Sequence, residues 1–246
     1  MCTAVSSGRF FGRTLDVESE WGGEVIGDEN IIGMARMTNC VPLWFDAANK
    51  HGLGGAALNF PGLAVYRDGS KKKYNIPSYA LIGFVLERCN NIREAEELLS
   101  DVNITPEAFS PDLPPTPLHW IFADASGSIV FEQTESGGQV YHNETGVLTN
   151  APTFPEHLDN IKKGKKPTDL SSESRFILAA EAKNSYAPES AEEFFDIMKN
   201  VFVELGYGST DKMKTVYTSC IDLEKGEYYT KTGGKIKFAG CVDKAQ

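Results

Sequence analysis

Runs of apolar residues rich in β-branched and aromatic side chains recur along the chain and predict strands. They cover Ile31–Met37, Leu43–Ala47, Gly54–Phe60, His119–Asp124, Ser128–Thr134 and Gln139–His142. Thr215–Leu223, Glu227–Thr232 and Lys235–Ala239 repeat the pattern near the end of the chain. Asp124–Gly127, Glu135–Gly138, Glu224–Gly226 and Gly233–Gly234 carry turn residues between these runs. Helical periodicity appears in two blocks. Ser78–Arg88 and Ile92–Leu99 form the first, with Asn91 as N-cap of the second helix; Ser172–Ala182 and Ala191–Leu205 form the other. Ser190 and Glu193 have capping-box spacing, and Phe194, Phe195, Met198, Val201, Phe202 and Leu205 form a stripe that should pack on a sheet. The order is strands, helix pair, strands, helix pair, strands. Two antiparallel sheets, each covered by helices, accommodate it. Asn103–Pro117 and Ala151–Leu170 are the longest breaks, and residues 1–246 read as one domain.

Composition narrows the function classes. The formal charge of −10 argues against a nucleic-acid partner. The five cysteines are odd in number and none has CxxC spacing, which argues against a disulfide framework or a zinc site. No metal or cofactor is expected. Cys40, Cys89 and Cys220 lie in apolar stretches and read as small buried hydrophobes. No signal-peptide pattern and no membrane-spanning run is present, so a cytoplasmic protein with no membrane partner is expected. The lysines of Lys71–Lys73 and Lys162–Lys166 read as solvated loop tips.

One cysteine stands apart. Cys2 directly follows the initiator methionine and becomes residue one when that methionine is removed. An N-terminal cysteine combines a thiol nucleophile with an α-amino group that can take its proton, so no separate histidine base is required. The histidines fit no catalytic motif: His119 and His142 fall in strands, His51 in a turn and His157 in a loop. A thiolate is favoured by nearby positive charge, which Arg13 can supply. A free α-amine needs an acceptor, which Asp16 can supply. Both would lie on a strand that pairs with the first across a turn at Ser6–Arg9.

These residues belong to a longer set of blocks. The chain opens MCT, continues with FGRTLD at Phe11–Asp16, WFDAANKHGL at Trp44–Leu53, ALNFPG at Ala57–Gly62 and LTNAPTF at Leu148–Phe154, and ends with DLSSESRF at Asp169–Phe176 and TVYTSCIDLEKGEYY at Thr215–Tyr229. Together, in this order, they resemble the choloylglycine hydrolase family, the N-terminal-nucleophile (Ntn) amidases that include bile salt hydrolases and penicillin V acylases. The resemblance implies an α+β fold, the four-layer αββα sandwich of two antiparallel sheets. It implies that Cys2 attacks the amide carbonyl, that Arg13 supports the thiolate and that Asp16 holds the α-amine. Asn150, through its side-chain N–H, and Asn59, through its backbone N–H, would form the oxyanion hole, and Arg175 would stabilise the charged site. Asparagine suits that task because it donates without titrating.

The resemblance also implies the substrate. Asn59 stands where several penicillin V acylases have tyrosine, which favours glycine- or taurine-conjugated bile acids. Penicillin V or another N-acyl amide is the alternative, and a compact non-catalytic relative that binds bile acids is a second. Any of these ligands needs an apolar groove beside Cys2, for which Trp21, Ile26, Leu63, Val65 and the Pro106–Pro117 loop are candidates. Only 25 positions separate Asn150 from Arg175. Family members carry a longer excursion there, including a loop that reaches a neighbouring subunit. A homo-oligomer is implied by the resemblance, but the missing loop counts against the family's tetramer.

Overall fold

The structure, a computed structural model, describes residues 1–17, 22–201, 214–232 and 234–243. The chain starts with a hairpin, β1 (Cys2–Ser7) and β2 (Phe10–Val17). Gly8, at φ +57°, takes the left-handed conformation that its tight turn needs. Next come β3 (Glu24–Gly27), β4 (Ile31–Thr38), β5 (Val41–Asn49) and β6 (Gly54–Asn59). β7 (Tyr74–Pro77) leads through a short 3-10 turn into α1 (Leu81–Leu86), followed by α2 (Ile92–Leu99) and β8 (Val102–Thr105). β9 (Leu118–Asp124), β10 (Gly127–Thr134), β11 (Gly137–His142) and the two-residue β12 (Val147–Leu148) precede α3 (Phe154–Lys162), α4 (Ser172–Ser185) and α5 (Ala191–Met198). β13 (Lys214–Asp222), β14 (Glu227–Thr232) and β15 (Lys235–Cys241) complete the described chain.

One sheet has the order β12-β1-β2-β13-β14-β15, the other β11-β10-β9-β6-β5-β4-β3. All neighbouring strands in both are antiparallel. The sheets face each other, with α4 and α5 on the outside of the first and α1 and α2 on the outside of the second. The two-residue side-chain period of strands sorts the core between layers. In β9, Ile121 and Ala123 point to the inter-sheet core, while Trp120 and Phe122 point toward α1 and α2. Val130 and its neighbours Ile129 and Phe131 divide β10 in the same way.

Close approach fixes one position in β2. A Cβ on Gly12 would lie 2.1 Å from the Ser219 carbonyl oxygen and 2.9 Å from a ring carbon of Phe194. Only glycine lets β2 fit between β13 and α5 at this point.

The expected strands all form, but several elements differ from the sequence reading. The Ser78–Arg88 helix is a 3-10 turn at Ser78–Ala80 followed by α1. The last helix ends at Met198 and continues as a 3-10 turn to Val201; Phe202, Leu205 and turn residue Gly233 lie outside the described residues. The break at Ala151–Leu170 contains α3. Its start is fixed by Glu156, whose Oε2 accepts from the backbone N–H and hydroxyl of Thr153 at 3.0 and 2.6 Å. His157 is therefore helical, and Lys162 ends that helix. β8 enters the Asn103–Pro117 break and pairs in parallel with β7, an arrangement that local sequence does not encode. Cys89 and Cys220 are buried, but Cys40 is exposed. It shares the two-residue turn between β4 and β5 with Asn39, and both have positive φ (50° and 64°), as a type I′ hairpin requires.

Candidate active site

The first hairpin places the site. In its register Cys2 lies opposite Leu15 and Ala4 opposite Arg13, so Cys2 and Arg13 are diagonal neighbours on one face. Arg13 Nη2 donates to Cys2 Sγ at 2.7 Å. Thr3, Thr14 and Asp16 alternate to the opposite face, where α4 packs.

Arg13 is buried, and its guanidinium is locked by backbone. Nη1 donates to the Phe45 and Ala57 carbonyls at 2.9 and 2.5 Å, and Nε donates to the Thr14 carbonyl at 3.2 Å. Four of its five N–H groups are thus committed, one of them to the sulfur. Burial works against the charge on Arg13. Cys2, Tyr217, Asp46 and Asp16 outweigh it and hold the group protonated above the ordinary arginine range. Behind Arg13 lies a buried carboxylate, Asp46, which accepts from Tyr217 Oη at 2.5 Å and from Tyr228 Oη. Burial pushes Asp46 upward against the opposing pull of Arg13 and the two tyrosines. It pushes both tyrosine hydroxyls well above their usual range as well, with Asp46 adding to the shift.

On the helix side, Arg175 of α4 is fully buried. Its Nη1 donates to the Cys2 carbonyl and to Thr3 Oγ1, both at 2.6 Å, and its Nη2 donates to Asn150 Oδ1 at 3.0 Å. The Asp16 carboxylate accepts from Thr215 Oγ1 at 2.6 Å and lies 3.9 Å from Arg175 Nη1. Burial raises its pKa, opposed first by Arg175 and then by Thr215.

With Met1 in place, the Cys2 nitrogen is a peptide N–H and donates to Asn150 Oδ1 at 2.8 Å, not to Asp16. Asp16 engages Met1 through its backbone: its carbonyl accepts from the Met1 ammonium at 2.7 Å, and its N–H donates to the Met1 carbonyl at 2.8 Å. Asn150 Nδ2 donates one hydrogen to the Asn59 carbonyl at 2.7 Å. Cys2, Arg13, Asp16, Asn59, Asn150 and Arg175 thus form one connected constellation.

His157 also belongs to it, although the sequence reading placed it in a loop. Its Nε2 lies 2.9 Å from the Asn150 carbonyl and 3.2 Å from Thr149 Oγ1, and its ring stacks on Phe176 at 4.5 Å between centroids. A carbonyl only accepts, so Nε2 carries the proton. Nδ1 is then the basic nitrogen, and it is buried with no hydrogen-bond partner among the described residues. Burial accordingly depresses the His157 pKa to about 4. The Thr153–Glu156 capping box was the signal that could have put this histidine on a helix. Asp46, Tyr217 and Tyr228 carried no comparable local signal, because the packing of the two sheets face to face creates their cluster.

A cavity of about 250 Å³ opens above Cys2 and Arg13. Its walls are mainly apolar and include Leu15, Leu43, Trp44, Tyr79, Ile82 and Leu118, with Asn59 also on the lining. The expected walls are largely replaced. Ile26, Leu63 and Val65 do not line it, Trp21 lies outside the described residues, and Thr116 is the contribution of the Pro106–Pro117 loop. The face of the hairpin that carries the thiol turns toward β5, β6 and α1, which supply Leu43, Trp44, Asn59 and Ile82 to the walls.

The chain matches the family described as linear amide C–N hydrolases, choloylglycine hydrolase family, over residues 2–167 and 163–239. It is 33% identical over 288 aligned positions to the bile salt hydrolase/transferase of Lactiplantibacillus plantarum, covering 94% of this chain and 89% of that protein. The structure of the C2A mutant of conjugated bile acid hydrolase from Clostridium perfringens superposes with a TM-score of 0.87 at 27% identity, covering 100% of this chain and 98% of that one. Penicillin V acylase from Agrobacterium tumefaciens shares the fold, with a TM-score of 0.76 at 20% identity over 96% of this chain and 84% of that one.

Proposed function

Since this chain belongs to the choloylglycine hydrolase family of linear amide C–N hydrolases, we propose that it cleaves the amide of glycine- or taurine-conjugated bile acids, with Cys2 as nucleophile. The observation that carries this reading is the Arg13 contact to Cys2 Sγ at 2.7 Å on the floor of a mainly apolar cavity. Removal of Met1 frees the Cys2 α-amine, which takes the thiol proton as Sγ attacks the carbonyl carbon. The carbonyl π electrons move to oxygen. That oxygen accepts from the second Nδ2 hydrogen of Asn150 and from the Asn59 backbone N–H. Collapse breaks the C–N bond, the amine leaves with the proton held by the α-amine, and a thioester on Cys2 remains. Water attacks the thioester by the same route and releases the bile acid.

Arg13 orients the sulfur. Arg175 holds Asn150 and the Cys2 carbonyl, and Asp16 becomes the acceptor for the α-ammonium once Met1 is gone. Residues 1–246 act as one domain in this reading. The names of the relatives and the asparagine at position 59 favour bile acids over penicillin V. Family membership does not favour the non-catalytic alternative. A panel of glycine conjugates, taurine conjugates and penicillin V, assayed for released amine, tests the substrate class. Faster release from the bile acid conjugates is expected; release from penicillin V alone would refute it.

A further inference from the structure

The cavity carries a charge that the reaction above does not use. Among the described residues its lining contains two arginines, Arg13 and Arg36, and no aspartate or glutamate. Arg13 is buried and bound to three carbonyls and the thiol. Arg36, on β4, is exposed and has no hydrogen bond or ion pair among the described residues. Its cross-strand partner on β5 is Leu43, an apolar residue that also lines the cavity.

We propose that Arg36 is a specificity-determining residue that binds the anionic group on the amine half of the substrate. This rests on the amidase reading above, and three observations converge on it. A protein of net charge −10 repels anions in general, so an acidic substrate needs a local site of positive potential. The remaining cavity wall is largely apolar and suits an uncharged acyl group. Arg36 offers a planar fork that pairs with either a carboxylate or a sulfonate. The two halves of a conjugate are thereby sorted, with the apolar acyl group on the walls and the acid on Arg36, and the scissile amide falls between them.

The test is calorimetric binding to protein carrying Cys2→Ala, which cannot turn substrate over. The probes are a glycine-conjugated bile acid and its uncharged glycinamide counterpart, each titrated onto Cys2→Ala, Cys2→Ala/Arg36→Gln and Cys2→Ala/Arg36→Lys. Arg36→Gln should weaken the anionic ligand about tenfold while changing the neutral one by less than about twofold, and Arg36→Lys should recover part of the loss. Equal affinity of the arginine and glutamine proteins for the anion, or equal loss for both ligands, would overturn this assignment alone. Failure of both ligands to bind the Cys2→Ala protein would overturn the bile acid reading and this assignment with it.

Discussion

Replacing His157 by glutamine removes a titratable group from beneath Asn150 without removing all hydrogen-bonding capacity. The structure sets the size of the effect. In the folded protein Nε2–H is committed to the Asn150 carbonyl, and a second proton would have to enter on Nδ1, which is buried without a partner among the described residues. The His157 pKa therefore falls from 6.5 to about 4 on folding. A depressed folded pKa means that the unfolded chain binds the proton first. The stability contribution is complete above the unfolded value and is lost as pH falls from about 6.5 toward 4. At 1.36 kcal/mol per pKa unit, the loss is about 0.8 kcal/mol at pH 6, about 2 at pH 5 and about 3 at pH 4. Urea unfolding of wild type and His157→Gln at pH 7, 6, 5 and 4 measures it. Both proteins lose stability as their carboxylates protonate, but that part cancels in the difference. The wild-type curve should approach or cross that of the variant as pH falls. A stability difference that stays constant between pH 7 and 4 would refute the buried neutral histidine.

Other expectations follow from the same contacts. Arg13→Lys keeps the charge but cannot reach the Phe45 and Ala57 carbonyls and Cys2 Sγ together, so kcat/KM for the conjugate should fall about a hundredfold; a change below about threefold would remove Arg13 from the positioning of the thiol. Tyr217→Phe deletes one of the bonds to buried Asp46 and should cost about 1–3 kcal/mol in urea unfolding; an unchanged midpoint would show that Asp46 does not depend on it. Gly12→Ala places a methyl group against the Ser219 carbonyl and should destabilise by about 1–3 kcal/mol, read as a lower Tm; wild-type stability would mean that β2 shifts freely.

The layered fold was legible because runs rich in apolar, β-branched and aromatic residues and two helix pairs survive in the local sequence. β9 illustrates it: its run is apolar throughout because Ile121 and Trp120 face different cores. What failed was local structure imposed by distant partners. β7 and β8 are strands because they pair with each other across the α1–α2 excursion, and Tyr74–Pro77 has no strand signature of its own. α3 was hidden by Pro152, Pro155 and a lysine-rich end, although its capping box was present. The motif residues around Cys2 converge through the hairpin register and α4. The cavity walls were misplaced because the direction in which the thiol faces depends on how the two sheets stack, which no local pattern records. His157 was missed for a related reason: its role comes from one bond to a backbone carbonyl, and only the folded chain supplies that carbonyl.

In the proposed reaction the freed N-terminal cysteine forms the acyl-enzyme. Rapid quenching of the protein with excess conjugated bile acid, followed by mass spectrometry of its N-terminal peptide, addresses it directly. The peptide should begin at Cys2 and carry the bile acyl group on that residue, and Cys2→Ala should show neither adduct nor released amine. Amine release by protein that retains Met1, or an acyl group on any other residue, would contradict it.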